Sequence, residues 1–565
     1  MIDFRAAAVR DRVVLPLTQS CWAPAEPDTV AETTVGSVLR AAAETSPDLL
    51  AVIDWGASSA DRRAWTYADL LRAAERTACA LLRHFRPGEH VAVYAPNSGE
   101  WLILEFGAAL ADLVLVTVNP AYRAEELEYV LRQSRSVGIF YTNSFRGNAM
   151  VQWVNTVRGR LSDLRVAIPL SEWQAFMDAA GEDIPLPDVQ PLNPAQIQYT
   201  SGTTGRPKGA LLHHRGLTNN ARFFAARSEL RAGDVYAHAM PFFHTAGCVM
   251  ASLGTVQALA THAFLPAYDA SRLAQLLMVE RATHMLGVPT MLIGLLEQLA
   301  STNCDLGALR VVICGGASVP PEVVRSIEER LNVRFSIVYG QTESSPLITQ
   351  VCLSDSPEDK ALTVGKPVPC TEVKIIDPAS GAVQPVDSVG EVCARGYQVM
   401  QGYFDEPAAT TLAIDRDGWL HTGDLGTMDS RGYCRITGRL KDMVIRGGEN
   451  IFPAEIEAAL HRHPAVLDVA VVGVPDGRMG EELAAFLRVR DPRPTAEALH
   501  AHVRELLAAP KAPRYWVFID SFPLTASGKV QKFVLRDWWK GGNLDAIDMV
   551  AVRCGPSGSK VVQTG

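Results

Sequence analysis

Between residues 66 and 119 the apolar residues change period three times, and this alternation constrains the fold more than any other feature of the chain. In "TYADLLRAAERTACALLR" (66–83), Leu70, Leu71, Ala74, Ala78, Leu81 and Leu82 fall on one helical face, with Asp69 and the arginines away from it. "HVAVYAP" (90–96) and "LVLVTVN" (113–119) are continuous apolar runs of strand length. "NSGEWLILEFGAALADL", between them, predicts a helix with Asn97 as N-cap and Glu100 completing a capping box. Strand, helix, strand in this rhythm requires a parallel sheet with helices on its faces. The rhythm returns in "ATHMLGVPT", "RVVICGGASV", "PPEVVRSIEERL" and "FSIVYG", between 282 and 340, so a large α/β body is expected.

After about residue 370 the texture becomes short strands and glycine turns: "TEVKIID", "GEVCARG", and a hairpin in "GTMDSRGYCRITGR" turning at Asp429-Ser430-Arg431-Gly432. Beyond Arg439, "FPAEIEAALHRHP", "LDVAVVGVP", "EELAAFLRV" and "AEALHAHVRELLAAP" spell helix, strand, strand, helix, enough for a small α+β domain. The expected organisation is a body over 1–438, a hinge at 439–441 within "GRLKD", a C-terminal α+β domain over 442–540, and a loose glycine- and serine-rich tail over 541–565.

A chain of 565 residues exceeds a single core, which agrees with that division. The net charge of -9 and the absence of any lysine–arginine run argue against nucleic acid as a partner. Arginines interrupt "MIDFRAAAVRDRVVLPL" where a signal peptide needs an apolar core. No stretch reaches the roughly 20 apolar residues of a membrane span. "GAALADLVLVTV" and "LGVPTMLIGLLEQLA" are broken by Asp112 and Pro289 and read as buried core. Ten scattered cysteines, without metal-ligand spacing at Cys304 and Cys314, read as reduced packing residues. A cytoplasmic location is expected, with membrane contact only as transient as a lipid substrate makes it.

The chemistry-bearing stretch is "YTSGTTGRPKGA" (199–210). Glycines let backbone N–H groups approach a phosphate chain, and hydroxyls donate to non-bridging oxygens. "QIQYT" before it and "ALLHH" behind it alternate like strands, so the loop hangs between two of them. A Walker loop needs a glycine five positions after its first, then Lys and Ser or Thr. Here Pro207 stands five after Gly202, and Gly209 follows Lys208.

Taken with "YGQTESSP" (339–346), "DGWLHTGDLG" (417–426), "GRLKDMVIRGGENIFPAEIE" (438–457) and "PLTASGKVQK" (523–532), the stretch resembles the adenylate-forming superfamily, specifically its acyl-CoA synthetases. The resemblance implies a large body of two α/β subdomains plus a β-barrel, and a small C-terminal domain on a hinge. It implies an acid activated by ATP to an acyl adenylate and passed to the thiol of CoA. It assigns Thr200, Ser201, Gly202, Thr203, Thr204, Gly205 and Lys208 to the β- and γ-phosphates, Thr342 to phosphate, and Glu343 to Mg²⁺, a hard cation suited to carboxylate. Tyr339 would stack near adenine, and Gly340, Gln341 and Ile436 join the nucleotide contacts. Asp424 would hold the ribose and Arg439 a second ribose or phosphate contact. Lys529 would bring positive charge to the α-phosphate. Gly447 and Gly448 would line the pantetheine path, and Lys441 takes the hinge position.

"MPFFHTAG" (240–247) falls where the family builds its acyl pocket. His244 either gates that tunnel, sits near the carboxylate, or is a core histidine. Amino-acid-activating relatives carry aspartate in this motif, so an amino-acid substrate is disfavoured. Gly247, Cys248, Gly287, Val288, Pro289, Gly315, Gly316 and Ala317 are the pocket candidates, the last three serving the nucleotide as well. Their small or apolar character suits an alkyl or aryl chain. A fatty or medium-chain acyl-CoA ligase leads. An acyl-AMP ligase loading a carrier-protein phosphopantetheine, an aryl-CoA ligase, and a noncatalytic nucleotide binder are the alternatives. Oligomeric state is open, a homodimer included.

Overall fold

The computed structural model describes residues 16–24, 29–179, 181, 184–200, 206–302, 304–317, 319–523, 530–540, 548–553 and 560–563. They fall into two compact units: 1–374 with 393–422 and 428–434, and 375–392 with 423–427 and everything from 435.

The first unit contains two large sheets. One runs Gly402–Tyr403, Lys208–His213, Pro194–Thr200, Val114–Val118, His90–Tyr94, Gly138–Tyr141, Val166–Pro169. Its last five strands are parallel, and the Pro194–Thr200 strand pairs antiparallel with Lys208–His213. The other has nine strands, with Leu50–Asp54, Thr261–Phe264, Val235–His238, His284–Gly287, Val311–Gly315 and Arg334–Gly340 parallel at its centre.

Local sequence explains the helices between them. Thr66 caps the helix Tyr67–Leu82 in a capping box with Asp69, and Leu70, Ala74, Ala78 and Leu81 face the core. The helix Gly99–Leu110 buries all of its 12 residues but Glu100. Its cap is Ser98, whose hydroxyl accepts from Trp101 N–H, and not Asn97 as the capping-box pattern suggests. Asn97 is buried and serves other backbone: Nδ2 donates to the carbonyls of Met240 and Leu265, and Oδ1 accepts from Phe242 N–H at 2.8 Å. A short amide with donor and acceptor together is better used there than at a cap that serine can fill. Pro289 opens the helix Pro289–Ser301 at its first position, where a missing N–H costs nothing.

A five-stranded sheet runs Cys21–Trp22, Thr371–Ile376, Gly390–Gly396, Leu420–Met428, Cys434–Arg439, with the expected hairpin closed by Asp429 and Tyr433. Cys21–Trp22 and Cys434–Arg439 are its two edges, and among the described residues they do not pair. No closed barrel is found among the described residues, in place of the expected β-barrel. Closure would need an edge-to-edge ladder.

In the second unit, the helix Pro453–His461, the antiparallel pair Val466–Asp476 and Gly480–Val489, and the helix Ala496–Leu506 appear in the order read from sequence. Tyr515–Phe518 adds a parallel strand, and buried Trp516, Phe486 and Leu535 anchor its two apolar clusters. Ten residues of the stretch 541–565 are described, and they form two strands. Asp548–Arg553 pairs antiparallel with Tyr515–Phe518, and Lys560–Gln563 pairs with it in turn. An open strand edge is a template that a continuous apolar run such as "MVAV" can fill. Among the described residues no helix is long and apolar enough to cross a membrane.

Candidate active site

One hairpin and one turn build the phosphate side. Thr200 ends one strand and Lys208 begins the next, directly opposite it. Ser201, Gly202, Thr203, Thr204 and Gly205 lie outside the described residues. On the alternating strand Gln196, Gln198 and Thr200 share one face.

From the nine-stranded sheet, Arg334–Gly340 leads into Gln341 and the single turn Thr342–Ser344. Gln341 N–H donates to the Pro346 carbonyl at 2.9 Å and the Ser344 hydroxyl donates to the same oxygen at 2.6 Å, so the turn is held from both ends. The turn buries Glu343. Its Oε1 accepts from the Tyr403 hydroxyl at 2.7 Å and from the Thr200 hydroxyl at 3.2 Å. Lys208 Nζ stands 5.1 Å from the centroid of the Tyr403 ring. Thr200, Lys208 and Glu343, separated by up to 143 positions, are thus brought together around a tyrosine that the sequence motifs do not include. Burial, with Glu343 next in weight, pushes the Tyr403 phenol upward, so it stays a neutral donor. The donors assembled here are all oxygen, a carboxylate and a hydroxyl, which suits a hard divalent cation.

Thr342 is half-buried in the same turn, and Tyr339 and Gly340 close the strand before it. Gly315 ends the adjacent parallel strand one register step away, opposite Val338, with Gly316 and Ala317 exposed beyond it. Gly287 ends the strand after that, opposite Cys314. These candidates therefore collect at the carboxyl ends of neighbouring parallel strands, where ligands bind in open α/β sheets. Val288 and Pro289 follow Gly287 directly into a helix.

The His244 motif folds differently from an ordinary helix. The His244 carbonyl accepts from both Gly247 and Cys248 N–H groups, opening a π-helix over Ala246–Leu253. The His244 ring is half-buried, 4.5 Å from that of Phe243. Gly247 has a structural reason of its own: a Cβ there would lie 2.3 Å from the Pro241 carbonyl oxygen. Cys248 is fully buried, and Gln198 Nε2 donates to its sulfur at 3.0 Å.

Behind Cys248 lies a polar chain that motif reading misses. Gln198 Nε2 also donates to Gln196 Oε1 at 2.7 Å, Gln196 Nε2 donates to Glu105 Oε1 at 2.8 Å, and the Ser252 hydroxyl donates to Glu105 Oε2 at 3.0 Å. All are buried. Polar residues at 196, 198 and 200 on one strand of a buried sheet were the available signal, because such a row needs partners. Desolvation pushes the Glu105 carboxyl up to about 8, against weaker lowering by Ser252 and Gln196. Its folded pKa lies above its unfolded value, so between about pH 4.5 and 8 the folded state holds a proton that the unfolded chain releases, and stability falls as pH rises through that window. The slope reaches at most about 1.4 kcal/mol per pH unit. Glu105→Gln removes the titration, accepts from Gln196 at Oε1, and meets Ser252 once that hydroxyl turns to accept from the new Nε2. Denaturant melts should show the variant near wild type at pH 5 and increasingly the more stable of the two toward pH 8.

Asp424, Ile436, Arg439, Lys441, Gly447 and Gly448 belong to the second unit. Asp424 is buried and its Oδ1 accepts from Arg439 Nε at 2.9 Å. The two residues assigned by resemblance to the ribose therefore form an ion pair. Ile436 lies three positions before Arg439 in the same strand. Burial, then Arg439, pushes the Lys441 ammonium pKa down. Gly447 and Gly448 both take positive φ, 58° and 87°, in the turn between the short strands Val444–Arg446 and Glu449–Ile451. Lys529 lies outside the described residues. Of the described residues on either side of it, the Pro523 carbonyl accepts from Gln531 N–H at 2.8 Å.

Residues 39–404 match the family model described as AMP-binding enzyme, and residues 455–529 match its C-terminal domain. A protein of Bacillus subtilis (strain 168) named for an acyl-CoA synthetase, YngI, is 40% identical over 536 residues, 89% of this chain and 96% of its own. The human mitochondrial medium-chain acyl-CoA ligase ACSF2 is 35% identical over 545 residues, covering 89% of this chain and 87% of its own. Among solved structures, ATP-bound MatB from Rhodopseudomonas palustris aligns at TM-score 0.82 with 29% identity, over 90% of this chain and 99% of that one. A Mycobacterium tuberculosis fatty acyl CoA synthetase aligns at TM-score 0.71 with 28% identity and the same two coverages.

Proposed function

This chain belongs to the AMP-binding enzyme family and is an ATP-dependent acyl-CoA ligase, and we propose that the acid it activates is a fatty or medium-chain carboxylate. The observation that carries the site assignment is the meeting of Thr200, Lys208 and Glu343 around Tyr403. A carboxylate attacks the α-phosphate of ATP, pyrophosphate leaves, and the CoA thiol then displaces AMP from the acyl adenylate. The first step builds charge on phosphate oxygens, so positioned cations and fixed donors do most of the catalytic work.

In this reading Lys208 and residues 200–205 would hold the β- and γ-phosphates, and Thr342 would contact phosphate. Glu343 would hold Mg²⁺, which supplies positive charge to the phosphate chain when bound. Tyr339 would flank adenine, with Gly315, Gly316, Ala317, Gly340, Gln341 and Ile436 contributing nucleotide contacts. Asp424 would accept from the ribose hydroxyls while Arg439 holds its carboxylate in place. Residues 439–441 would be the pivot, and Gly447 and Gly448 the pantetheine wall. His244, Cys248 and Val288 would border the acyl chain. Each methylene there gains about 0.8 kcal/mol on burial, so neighbouring chain lengths differ only about fourfold in affinity.

The test uses purified protein, ATP, Mg²⁺ and a panel of straight-chain, branched, aryl and dicarboxylic acids, with and without CoA. Release of pyrophosphate and formation of acyl-CoA should peak with straight-chain acids and change gradually with length. Preference for an aryl or dicarboxylic acid would overturn the substrate assignment. Adenylate that accumulates and is never passed to CoA would favour a carrier-protein acceptor.

A further inference from the structure

Lys208 and Glu343 carry opposite charges at one site, yet among the described residues they form no ion pair with each other. Tyr403 lies between them. It sits opposite Ala210, and Lys208 is two residues from Ala210, so cross-strand pairing puts the ammonium and the ring on one face. The ring presents its face to Lys208 Nζ at 5.1 Å, while its hydroxyl donates to Glu343 Oε1 at 2.7 Å. The carboxylate is buried and the lysine half-buried. At such depth two opposite charges with nothing between them collapse into a pair, and each is then lost to a ligand. Both hydrogen bonds to the Glu343 carboxylate fall on Oε1, and among the described residues Oε2 has none.

We propose that Tyr403 is a positioning residue that holds Lys208 and Glu343 apart, reserving the ammonium for an anionic phosphate chain and the free carboxylate oxygen for a divalent cation. The inference rests on the reading of this site as a nucleotide–metal site. Its π-face keeps the lysine upright by cation–π attraction, and its hydroxyl fixes the carboxylate rotamer. The two functions are separable, because phenylalanine keeps the face and loses the hydroxyl, and leucine loses both.

Calorimetric titration of the full-length protein tests this without turnover, using Mn²⁺ with ATP in one series and metal-free inorganic pyrophosphate in another. Tyr403→Phe should weaken the Mn²⁺ dependence of ATP binding about tenfold, the usual scale for one hydrogen bond to a charged group, and leave pyrophosphate affinity near wild type. Tyr403→Leu should weaken both, because Lys208 then pairs with Glu343. Adding Glu343→Gln to Tyr403→Leu should return pyrophosphate affinity toward wild type while Mn²⁺ dependence stays weak. That rescue is an outcome general damage to the fold would not give. Unchanged Mn²⁺ dependence in Tyr403→Phe, or no pyrophosphate rescue in the double variant, would overturn the proposal. A wild-type protein that binds neither probe would overturn the nucleotide–metal reading itself.

Discussion

Lys529→Ala is expected to lower acid-dependent ATP–pyrophosphate exchange by about 10²–10³-fold, the scale for removing one group that stabilises developing charge, while thiolysis of supplied acyl adenylate stays within a few-fold of wild type. The assignment comes from the resemblance, and the surroundings of the motif favour it over its neighbour. "PLTASGKVQK" holds two lysines. Lys532 opens the helix Lys532–Lys540, and its ammonium lies 2.7 Å from Glu457 Oε1 on the helix Pro453–His461. The same oxygen accepts from Val471 N–H. Lys532 is thereby committed to tying two elements of one domain together, and removing it should cost stability and leave both half-reactions nearly intact. Lys529 lies outside the described residues, so its assignment rests on the resemblance and on the prior commitment of Lys532. Equal loss of both half-reactions in Lys529→Ala would contradict a role confined to adenylation, and a larger loss in Lys532→Ala would exchange the two lysines.

Much of this architecture is legible in the sequence because it rests on period and punctuation. The strand–helix–strand rhythm, the two strands flanking 201–207 and the order of elements in the C-terminal part all follow from apolar spacing. What escaped depends on partners distant in sequence. Tyr403 lies in "GYF", unremarkable by itself, and matters only because a two-residue strand sets it beside Lys208–His213. The Glu105–Gln196–Gln198–Cys248 chain joins segments up to 143 residues apart. Asn97 fits the capping pattern, yet three backbone groups from other loops claim it. Barrel closure and the pairing of Asp548–Arg553 with Tyr515–Phe518 are likewise questions of edge pairing, which local pattern does not decide.

Gly340→Ala should be the most damaging conservative change outside the charged residues. Gly340 ends the strand that delivers Thr342 and Glu343, at a shift in the antiparallel register with Leu347–Gln350. A Cβ there would stand 1.9 Å from the Pro346 carbonyl oxygen, 2.9 Å from its carbon and 3.0 Å from Ile348 nitrogen. All three are backbone atoms, so no rotamer change relieves the contact and the Pro346 segment itself must move. That segment cannot move alone, since the Pro346 carbonyl accepts from Gln341 N–H and from the Ser344 hydroxyl. Displacing it therefore opens the turn that aims Glu343 at Thr200 and Tyr403. Overpacking costs about 1–3 kcal/mol, and a shift of about 1 Å in a catalytic group costs about 10²-fold in rate. The expected result is a folded protein with a lowered melting temperature whose adenylation rate falls far more than its stability explains. The second half-reaction from supplied adenylate should be less affected, because it does not require the cation that Glu343 would hold. Wild-type adenylation by Gly340→Ala would show that the turn tolerates the shift and that Glu343 does not depend on it for position.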